Sequence, residues 1–403
     1  MRPWKRTFYA ALVAQFCSIA GFSLAMPFMA FYIRQLGVTG QGPVARWSGY
    51  VNAAAGLTMA IFAPIWGVVA DRYGRRLMVM RSMYGGVLVL LLMSIAQNVY
   101  HLLVFRLLQG ILTGTISALV ALVASEAPRE KAGYVLGAMQ AAVFVGFSVG
   151  PLIGGELADA LGYRATFALS SLLLLAGGLL VQFGTRESFV PAAAAGGGGF
   201  RAVFAAEGFL AAVFALFTLR FGNSITAPTF GLFIEEIYGK GSGLNRVVGR
   251  VIAVGGLAAA GGSFVLGALS DRWRAHKRVL IASCVFGGIV SLAYAYATTV
   301  WQLGGLRILF GLGAAGVLPA ANAIIRHTTA DENMGRAYGV TASAGSIGWT
   351  LGPWSGGEVA AAYGLRAPFL LMAVAIILSA GVVALFVRRD PPAKGLAMAE
   401  PLG

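Results

Sequence analysis

Two arginines and two glutamates stand inside otherwise apolar stretches of this chain, and they are its strongest candidates for chemistry. Arg106 and Glu156 lie in the first half, and Arg307 and Glu358 lie at corresponding places in the second half. A charged side chain in apolar surroundings is costly unless it is paired, so such residues usually serve a function. We expect two Arg–Glu ion pairs. Either at least one of them exchanges a proton, or both are static pairs that only fix the packing of helices.

The composition indicates which kind of protein must position these charges. Of the 403 residues, 58% are hydrophobic and only 11% are charged, whereas a soluble domain carries about 25% charged residues. Uncharged runs long enough to cross a bilayer fill the chain from Thr7 to Val387, and helices satisfy their own backbone hydrogen bonds in such runs. The short alternating segments of a membrane β-barrel are absent from the sequence. The sequence therefore predicts an all-α integral membrane protein with twelve transmembrane helices.

A short charged cluster interrupts these apolar runs and occurs twice. The first copy reads as a tight loop on one membrane face, in which an acid caps a helix start or pairs with an arginine. Its residues are Gly67, Asp71, Arg72, Gly74, Arg75 and Arg76. The second copy includes Asp271 and Arg272, half a chain length later. A loop that recurs at this distance predicts an internal duplication.

The duplication divides the chain into two halves. Arg106 matches Arg307, and Pro27 matches Pro228. A stretch of alanine and glycine between the halves has no apolar periodicity and predicts a flexible linker. We predict a six-helix bundle over residues 1–184, a cytoplasmic linker over 185–202, a second six-helix bundle over 203–387 and a cytoplasmic tail over 388–403. Two pseudo-symmetric bundles around a site near the membrane midplane form an alternating-access arrangement.

The net charge of +15 would indicate nucleic-acid binding in a soluble protein. Here most basic residues fall in short loops on the side that carries both termini, which predicts that this side is cytoplasmic. We expect a multi-pass protein of the bacterial inner membrane that contacts lipid and no nucleic acid. Cys17 and Cys284 lie in different apolar segments and predict packing rather than a disulfide. No His/Asp cluster has metal-ligand spacing, and we predict neither a metal site nor a cofactor.

The fifth predicted helix carries small residues along one face. Gly146, Gly150, Gly154 and Gly155 permit close contact with a neighbouring helix. Pro151 removes one backbone hydrogen bond from this helix and permits a bend. The pattern is consistent with plain packing and also with a role in coupling.

Four stretches of the sequence resemble signatures of the major facilitator superfamily, and within it of the twelve-span drug:proton antiporters. They are the loop 67–76, segment 106–110 of the fourth span, segment 146–155 of the fifth span and the end of the first span over 26–37. The duplicated copies extend the resemblance over essentially the whole chain. The resemblance implies the major facilitator fold, a coupling role for the fifth span, and a loop that acts as a latch between the halves. A turn with a helix cap is the alternative for the loop.

The resemblance also implies a central cavity, lined chiefly by the first, fourth, seventh and tenth spans. Aromatic, methionine and amide side chains would make it an adaptable amphipathic pocket, although each is also an ordinary packing residue. The candidates are Gln15, Phe16, Phe22, Met26, Gln109, Thr113, Phe217, Asn223, Phe230 and Asn322. Arg220 stands alone near mid-depth in the seventh span, where it contacts an anionic group or bonds to backbone carbonyls. The first span lacks the acid that family members often carry, which argues against a preference for cationic compounds.

These features together predict a secondary transporter rather than an enzyme. We expect a monomer that exports small amphipathic compounds as its substrates, uses protons as the coupling ion and alternates access between its two sides. A dedicated exporter of a sugar, a metabolite or a lipid is the alternative. The triplet Asp71-Arg72-Tyr73 mimics a receptor motif, but the duplication and the number of spans argue against a receptor. No nucleotide-binding loop is present, so we expect an ion gradient to supply the energy.

Overall fold

The structure is a computed structural model that describes residues 3–187, 203–204, 206, 208–273, 275–330 and 333–387. All regular secondary structure in this part of the chain is helical. The predicted tail over 388–403 and most of the predicted linker over 185–202 lie outside the described residues, so both stay predictions.

Seven helices make up the first half of the chain. Two single-turn 3₁₀ helices, Met26–Phe28 and Arg129–Lys131, connect some of them. The helices are α1 (Pro3–Ala25), α2 (Met29–Gln35), α3 (Gln41–Tyr73), α4 (Arg75–Ser94), α5 (Val99–Leu112), α6 (Thr115–Glu126) and α7 (Ala132–Gly184).

The longest helix, α7, folds back on itself. It has 53 residues and a break at Gly162, whose φ of 80° is a conformation that favours glycine. Both of its ends lie beside the start of α1, because Tyr134 packs near Phe8 and the Arg186 N–H just after α7 donates to the Thr7 hydroxyl. α7 therefore forms two antiparallel rods.

Eight helices make up the described part of the second half. They are α8 (Phe209–Ile225), α9 (Phe230–Tyr238), α10 (Leu244–Trp273), α11 (His276–Ala295), α12 (Val300–Ala314), α13 (Val317–Thr328), α14 (Met334–Tyr363) and α15 (Ala367–Phe386). Helix breaks recur at matching places in the two halves. α1 ends just before Pro27 and α8 ends just before Pro228, because a proline cannot donate the next helical hydrogen bond. The break between α5 and α6 recurs between α12 and α13.

The described helices form twelve rods that are long enough to cross a membrane. Numbered along the chain, the rods are α1 with α2, α3, α4, α5 with α6, the two arms of α7, α8 with α9, α10, α11, α12 with α13, α14 and α15. Nine helices or helix pairs are also apolar enough, and α8 with α9, which meet at 45°, make a tenth. α7 counts once among the nine although it contains two rods. α14 has 30 residues, but its many glycine, serine and threonine residues lower its mean hydropathy. The predicted twelve-helix membrane architecture is therefore confirmed.

Equivalent contacts in the two halves establish their pseudo-twofold relation. The Ser23 hydroxyl on α1 donates to the carbonyl oxygen of Gly146 at 3.0 Å, and the Ser224 hydroxyl on α8 donates to that of Gly348 at 3.0 Å. The same hydroxyl-to-carbonyl bond thus joins the first rod to the fifth in one half and the seventh rod to the eleventh in the other. The duplication seen in the sequence is a duplication of packing.

The two halves meet along two helix pairs, α3 with α14 and α7 with α10, where glycines allow close approach. Gly49 on α3 lies against Pro353 and Gly357 on α14, and Gly249 on α10 lies against Pro151 on α7. We call the end of the bundle where α1 begins and α15 ends the terminal face. The opposite end, which holds the loops 36–40 and 239–243, is the distal face.

Candidate functional site

An ionic clamp on the distal face joins the halves through Glu156. This residue lies on α7, one turn beyond Pro151. Its carboxylate lies 2.7 Å from the Arg246 side chain and 3.4 Å from that of Arg250, both on α10. The neighbouring Asp159 accepts hydrogen bonds from the backbone N–H groups of Asn245 and Arg246, near the start of α10. Acids at a helix start are favoured by the helix dipole.

The second half supplies a symmetry-related clamp through Glu358. Its carboxylate lies 3.1 Å from the Arg46 side chain and accepts a hydrogen bond from the Tyr50 hydroxyl, both on α3. Each clamp therefore places one glutamate against two side chains that stand one helical turn apart in the opposite half. In the second clamp, tyrosine replaces the second arginine. We name these contacts the Glu156 clamp and the Glu358 clamp.

A third ion pair closes the distal face between the first and seventh rods. Arg34 on α2 donates two hydrogen bonds of 2.7 Å to the carboxylate of Glu235 on α9. The Glu235 side chain is only 10% exposed. Two parallel bonds of this kind form the strongest geometry available to an arginine and a carboxylate. Three contacts between charged groups thus span the two halves at one end of the molecule.

The predicted pairs of Arg106 with Glu156 and of Arg307 with Glu358 are not formed, and this prediction was wrong. Arg106 is buried among neutral partners of its own half. Its guanidinium donates to the Val51 carbonyl, the Asn52 and Gln109 side-chain oxygens and the Met26 sulfur. The glutamates sit at a similar depth, but they point across the interface between the halves. The sequence predicts how far along a helix a residue lies, but it does not predict towards which neighbouring helix its side chain points.

Arg307, the counterpart of Arg106, has a different environment. Its guanidinium lies over the ring of Phe230, with 4.5 Å between the Cζ atom and the ring centre. Its Nε atom is buried and has no hydrogen-bond partner among the described residues. Gly255 on α10 packs against the aliphatic part of the side chain. The aromatic face therefore supplies the stabilisation that three oxygens and a sulfur supply to Arg106.

Among the described side chains, the charged cluster at the terminal face makes no bridge between the halves. Asp71 is exposed and forms no hydrogen bond with another described residue, and Gly67 has open space around it. Two arginines of the cluster are tied into their own half, because the Arg75 and Arg76 backbone N–H groups donate to Glu187 at 2.8 and 2.9 Å. In the second copy of the cluster, the structure does not describe the side chain of Asp271, and Arg272 is exposed. The latching role of the cluster stays a prediction.

The small residues of the fifth rod form tight contacts with α1. A Cβ atom on Gly150 would overlap the Ser23 hydroxyl, and one on Gly154 would overlap the Leu24 carbonyl oxygen. Gly146 lies equally close to Ile19. Gly155 faces the other way and packs on Asn245 of α10, so the fifth rod contacts both its own half and the opposite one. The packing is clear, and a coupling role remains a hypothesis.

The seventh rod carries exposed polar side chains. Arg220 and Asn223 on α8 are exposed, whereas Phe217 on α8 and Asn322 on α13 are half-buried. Arg220 lies against Gly345 and Gly348 of α14 and has no hydrogen-bond partner among the described residues. An unpaired guanidinium in hydrocarbon is very costly. We therefore expect this face of α8 to border water rather than lipid.

Several candidate cavity residues are more deeply buried than expected. Gln15 is fully buried, and both atoms of its amide lack a partner among the described residues. Gln109 is buried against Arg106, and the Thr113 hydroxyl donates to the Gln109 carbonyl. Phe230 is buried beneath Arg307. Phe16, Phe22 and Met26 are half-buried. Gln15, Gln109, Thr113 and Phe230 each pack inside their own half in this conformation, and their role in lining a cavity stays a prediction.

Sequence reasoning missed the partners of the glutamates, although a signal was present. Arg46 and Arg246, and likewise Tyr50 and Arg250, occupy matching positions in the two halves. Their spacing of four residues places each pair on one face of a helix. The same repeat that revealed the arginines and glutamates inside the rods would have revealed their partners at the distal face.

A molecule built from two pseudo-symmetric six-rod halves, joined at one face by ion pairs, has the architecture of a membrane transporter. The model of the Major Facilitator Superfamily matches residues 11–239 and 212–401, and the chain belongs to this family. The family consists of transporters and not of enzymes, as the sequence predicts.

Among its relatives, the chain is 35% identical over 390 residues to the multidrug resistance protein MdtG of Enterobacter lignolyticus, with 96% of this chain and 93% of that protein covered. It is 35% identical over 381 residues to the protein of the same name from Citrobacter koseri, with 94% of each chain covered. The chain is thus similar over nearly its whole length to two proteins named for multidrug resistance.

Solved structures share the fold. A bacterial homolog of the human lysosomal transporter Spinster, in an inward-facing and occupied conformation, superposes with a TM-score of 0.81 at 14% identity. The match covers 98% of this chain and all of that one. The human organic anion transporter MFSD10 superposes with a TM-score of 0.69 at 17% identity, covering 95% of this chain and all of that one.

Proposed function

We propose that this transporter is a proton-driven exporter of small amphipathic molecules, of the kind that act as drugs on bacteria. The relatives named for multidrug resistance support the proposal, because the chain aligns with them over nearly its whole length. The observation that carries the mechanism is the asymmetric closure of the bundle. Ion pairs join the halves at the distal face, while Asp71 and Arg72 of the charged cluster at the terminal face are exposed. This arrangement is one of the two end states of alternating access.

The terminal face is the proposed cytoplasmic side, so that both termini lie in the cytoplasm. Most of the basic residues fall in the loops of this face, which supports that orientation in a bacterial inner membrane. The hydrated space beside Arg220 then opens to the cytoplasm in this conformation. Such a state is the one that would take up a compound for export.

Glu156 and Glu358 are the proposed proton carriers. Each carboxylate is held between cationic or hydroxyl partners while the distal face is closed. Opening that face must separate each glutamate from the opposite half. A carboxylate that loses its cationic partners at a membrane boundary binds a proton more readily. Proton uptake from outside the cell would then accompany opening. For a gradient to drive export, closure of the distal face would have to send that proton between the halves to the cytoplasmic side.

The charged cluster of loop 67–76 is the proposed latch for the other end state. Asp71 has no partner among the described residues here and stands at the exposed end of α3. Closure of the terminal face would bring it towards the second half. The distal clamps and this latch would then alternate, each holding one end state.

Proteoliposomes containing the purified chain test this function. An imposed pH gradient should accelerate export of amphipathic compounds from a panel that also holds a sugar and a polar metabolite. The double variant Glu156→Gln/Glu358→Gln should lose the acceleration while keeping exchange without a gradient. Glu130→Gln, a change at an exposed residue of the terminal face, is the matched control. Transport of the sugar or the metabolite alone, or full acceleration in the double variant, would overturn the proposal.

A further inference from the structure

An arginine inside the first half, Arg81, has buried donors that no described residue satisfies. It lies on α4, about two turns from the start of that helix at the terminal face. Its Nε and Nη1 atoms are buried and donate no hydrogen bond to a described residue. The Cζ atom lies 3.6 Å from the centre of the Trp66 ring on α3. The ring face stabilises the charge but accepts no conventional hydrogen bond from the N–H groups, so the site still lacks an acceptor.

The guanidinium lies beside the break between α5 and α6. The indole N–H of Trp66, the ring on which Arg81 stacks, donates to the Ile111 carbonyl at 2.7 Å. One turn along α4 from Arg81, Gly85 packs directly on Leu112, the last residue of α5. The two contacts place Arg81 at the level where one helix ends and the next begins.

The helix that begins at this break has an open N-terminus. α6 has 12 residues, its N-cap is Gly114 with a φ of 134°, and no side chain caps it. A Cβ atom on Gly114 would meet nothing within 4 Å, so space is free there. Thr115, the first residue of α6, is 4% exposed, and its hydroxyl has no partner among the described residues. The start of a helix carries a partial positive charge and free N–H groups, which favour a negative ligand.

At the matching position of the second half, a side chain occupies the space beside the helix N-cap. Gly316 is the N-cap of α13 and matches Gly114, and Ser283 on α11 matches Arg81. The Ser283 hydroxyl comes so close that a Cβ on Gly316 would overlap it. One half thus places a small neutral group against the N-cap, and the other places a cation beside an open space. The difference lies in side chains and not in the course of the backbone.

The carboxylates of this region either accept hydrogen bonds from other groups or lie far from the Arg81 guanidinium. Glu187 accepts hydrogen bonds from the backbone N–H groups at the start of α4. Glu126 ends α6, 11 residues after Thr115 and about 16 Å along the helix axis. Asp71 stands at the exposed end of α3. The described part of this half therefore contains no carboxylate placed to neutralise the guanidinium.

We propose that the space between Arg81 and the start of α6 is an anion site. Its ligand is a small inorganic anion, such as a halide, or a singly charged phosphate group. The Arg81 Nε and Nη1 atoms, the Thr115 hydroxyl and the first backbone N–H groups of α6 hold it. The site lies within one half and does not depend on the proposed export function. An anion there would lower the cost of a cation inside the membrane and stabilise the break in the fourth rod.

Thermal unfolding of the purified full chain tests the site. In uncharged detergent, bromide replaces gluconate at constant ionic strength. A ligand that binds the folded state raises the unfolding temperature in a saturable way. We expect a rise of a few degrees in the native chain and none in Arg81→Gln, with at least a threefold weaker midpoint in Thr115→Val. Lys131→Gln removes an exposed cation at the terminal face and should respond as the native chain does.

A second arm separates a free anion from a lipid phosphate. The same variants are compared in nanodiscs of phosphatidylcholine with and without phosphatidylglycerol. Stabilisation by phosphatidylglycerol that Arg81→Gln abolishes would support the site with a lipid as the source of the anion. Equal responses of the native chain, Arg81→Gln and Thr115→Val in both arms would overturn it. Should Arg81→Gln fail to fold, an unchanged bromide midpoint in Thr115→Val is sufficient to reject the proposal.

Discussion

Arg106 and Arg307 occupy matching positions in the two halves but are stabilised by different chemistry. Arg106 has four acceptors, from Val51, Asn52, Gln109 and Met26. Arg307 lies on an aromatic face and leaves its Nε unpaired. A planar guanidinium serves several acceptors at fixed angles, which a lysine cannot do. The two positions are therefore expected to differ in their tolerance of lysine.

Arg106→Lys should destabilise the protein more than Arg307→Lys. The first change leaves the Asn52 and Gln109 oxygens without their donors inside the bundle, whereas an ammonium retains most of the attraction to the Phe230 ring. We expect a difference of about 1–2 kcal/mol, since a hydrogen bond within a membrane protein contributes roughly 0.6–2 kcal/mol. Unfolding temperatures of the two variants in the same detergent measure it. A larger loss in Arg307→Lys would contradict this account.

Arg220 is an exposed cation of the seventh rod, and its role is testable by substrate charge. The first rod has no acid from Thr7 to Ile33 that could neutralise it. Arg220→Ala should reduce transport of anionic amphiphiles about tenfold, equivalent to a loss of ~1.4 kcal/mol, and leave cationic ones nearly unchanged. Arg220→Lys is the control that keeps the charge. Transport rates in proteoliposomes decide the outcome, and equal losses for both classes would show a structural role.

At the scale of helices, the contact of α1 with α7 rests on the absence of side chains. Gly150 and Gly154 bring the backbones together at the Ser23 hydroxyl and the Leu24 carbonyl. In a membrane, close packing of this kind replaces the hydrophobic effect as the force between helices. The second half repeats the contact, since Gly356 lies against the Ile225 carbonyl. Both halves therefore depend on glycine at the same contact.

Gly154→Ala should separate α1 from α7 and destabilise the first half. The added methyl group would overlap a backbone carbonyl, which cannot rotate away, and overpacking of this kind costs typically 1–3 kcal/mol. Gly137→Ala is the matched control, because it lies on the same helix with open space around it. Thermal unfolding of the two variants should show a clear loss only for Gly154→Ala. Equal stability of the two would refute the tight contact.

At the scale of the whole molecule, weak contacts between the halves stabilise the state in which the distal face is closed. The Glu156 and Glu358 clamps are partly exposed, with glutamate side chains 45% and 32% accessible. Exposed ion pairs contribute about 0.2–1 kcal/mol each, so the clamps bias the distal face towards closure without locking it. The bidentate Arg34–Glu235 pair is better shielded and adds to this bias. A transporter needs contacts of this modest strength, because the same face must open in every cycle.

The double variant Glu156→Gln/Glu358→Gln should shift the molecule towards a distally open state. Removing two contacts of up to about 1 kcal/mol each changes the ratio of closed to open forms by up to roughly 30-fold. Spin labels at Thr39 and Gly241, exposed in distal loops of opposite halves, report the separation. Longer distances should gain population in the variant. Identical distance distributions in the variant and the native protein would show that the clamps do not control the face.

Much of the fold could be predicted from the sequence, because it depends on local patterns of residues. The apolar runs define the rods, and the repeats of Asp71-Arg72 and of Arg106 define the duplication. The tight glycine contact of the fifth rod followed from its spacing. The partners of Arg106 could not be predicted, because they come from three different helices of its own half. A helix turns about 100° per residue, so a register error of one or two residues changes which neighbour a side chain meets.

The order of residues was sufficient to establish a duplicated bundle of membrane helices and the positions of its few interior charges. That much depends on hydropathy and repetition, which act within one rod or between copies of it. Folding in three dimensions decided that Glu156 and Glu358 cross to the opposite half, that Gln15 is buried, and that the distal face is the closed one. These facts depend on how the two halves rotate and lean against each other. That arrangement is a balance of many weak contacts between residues far apart in the chain.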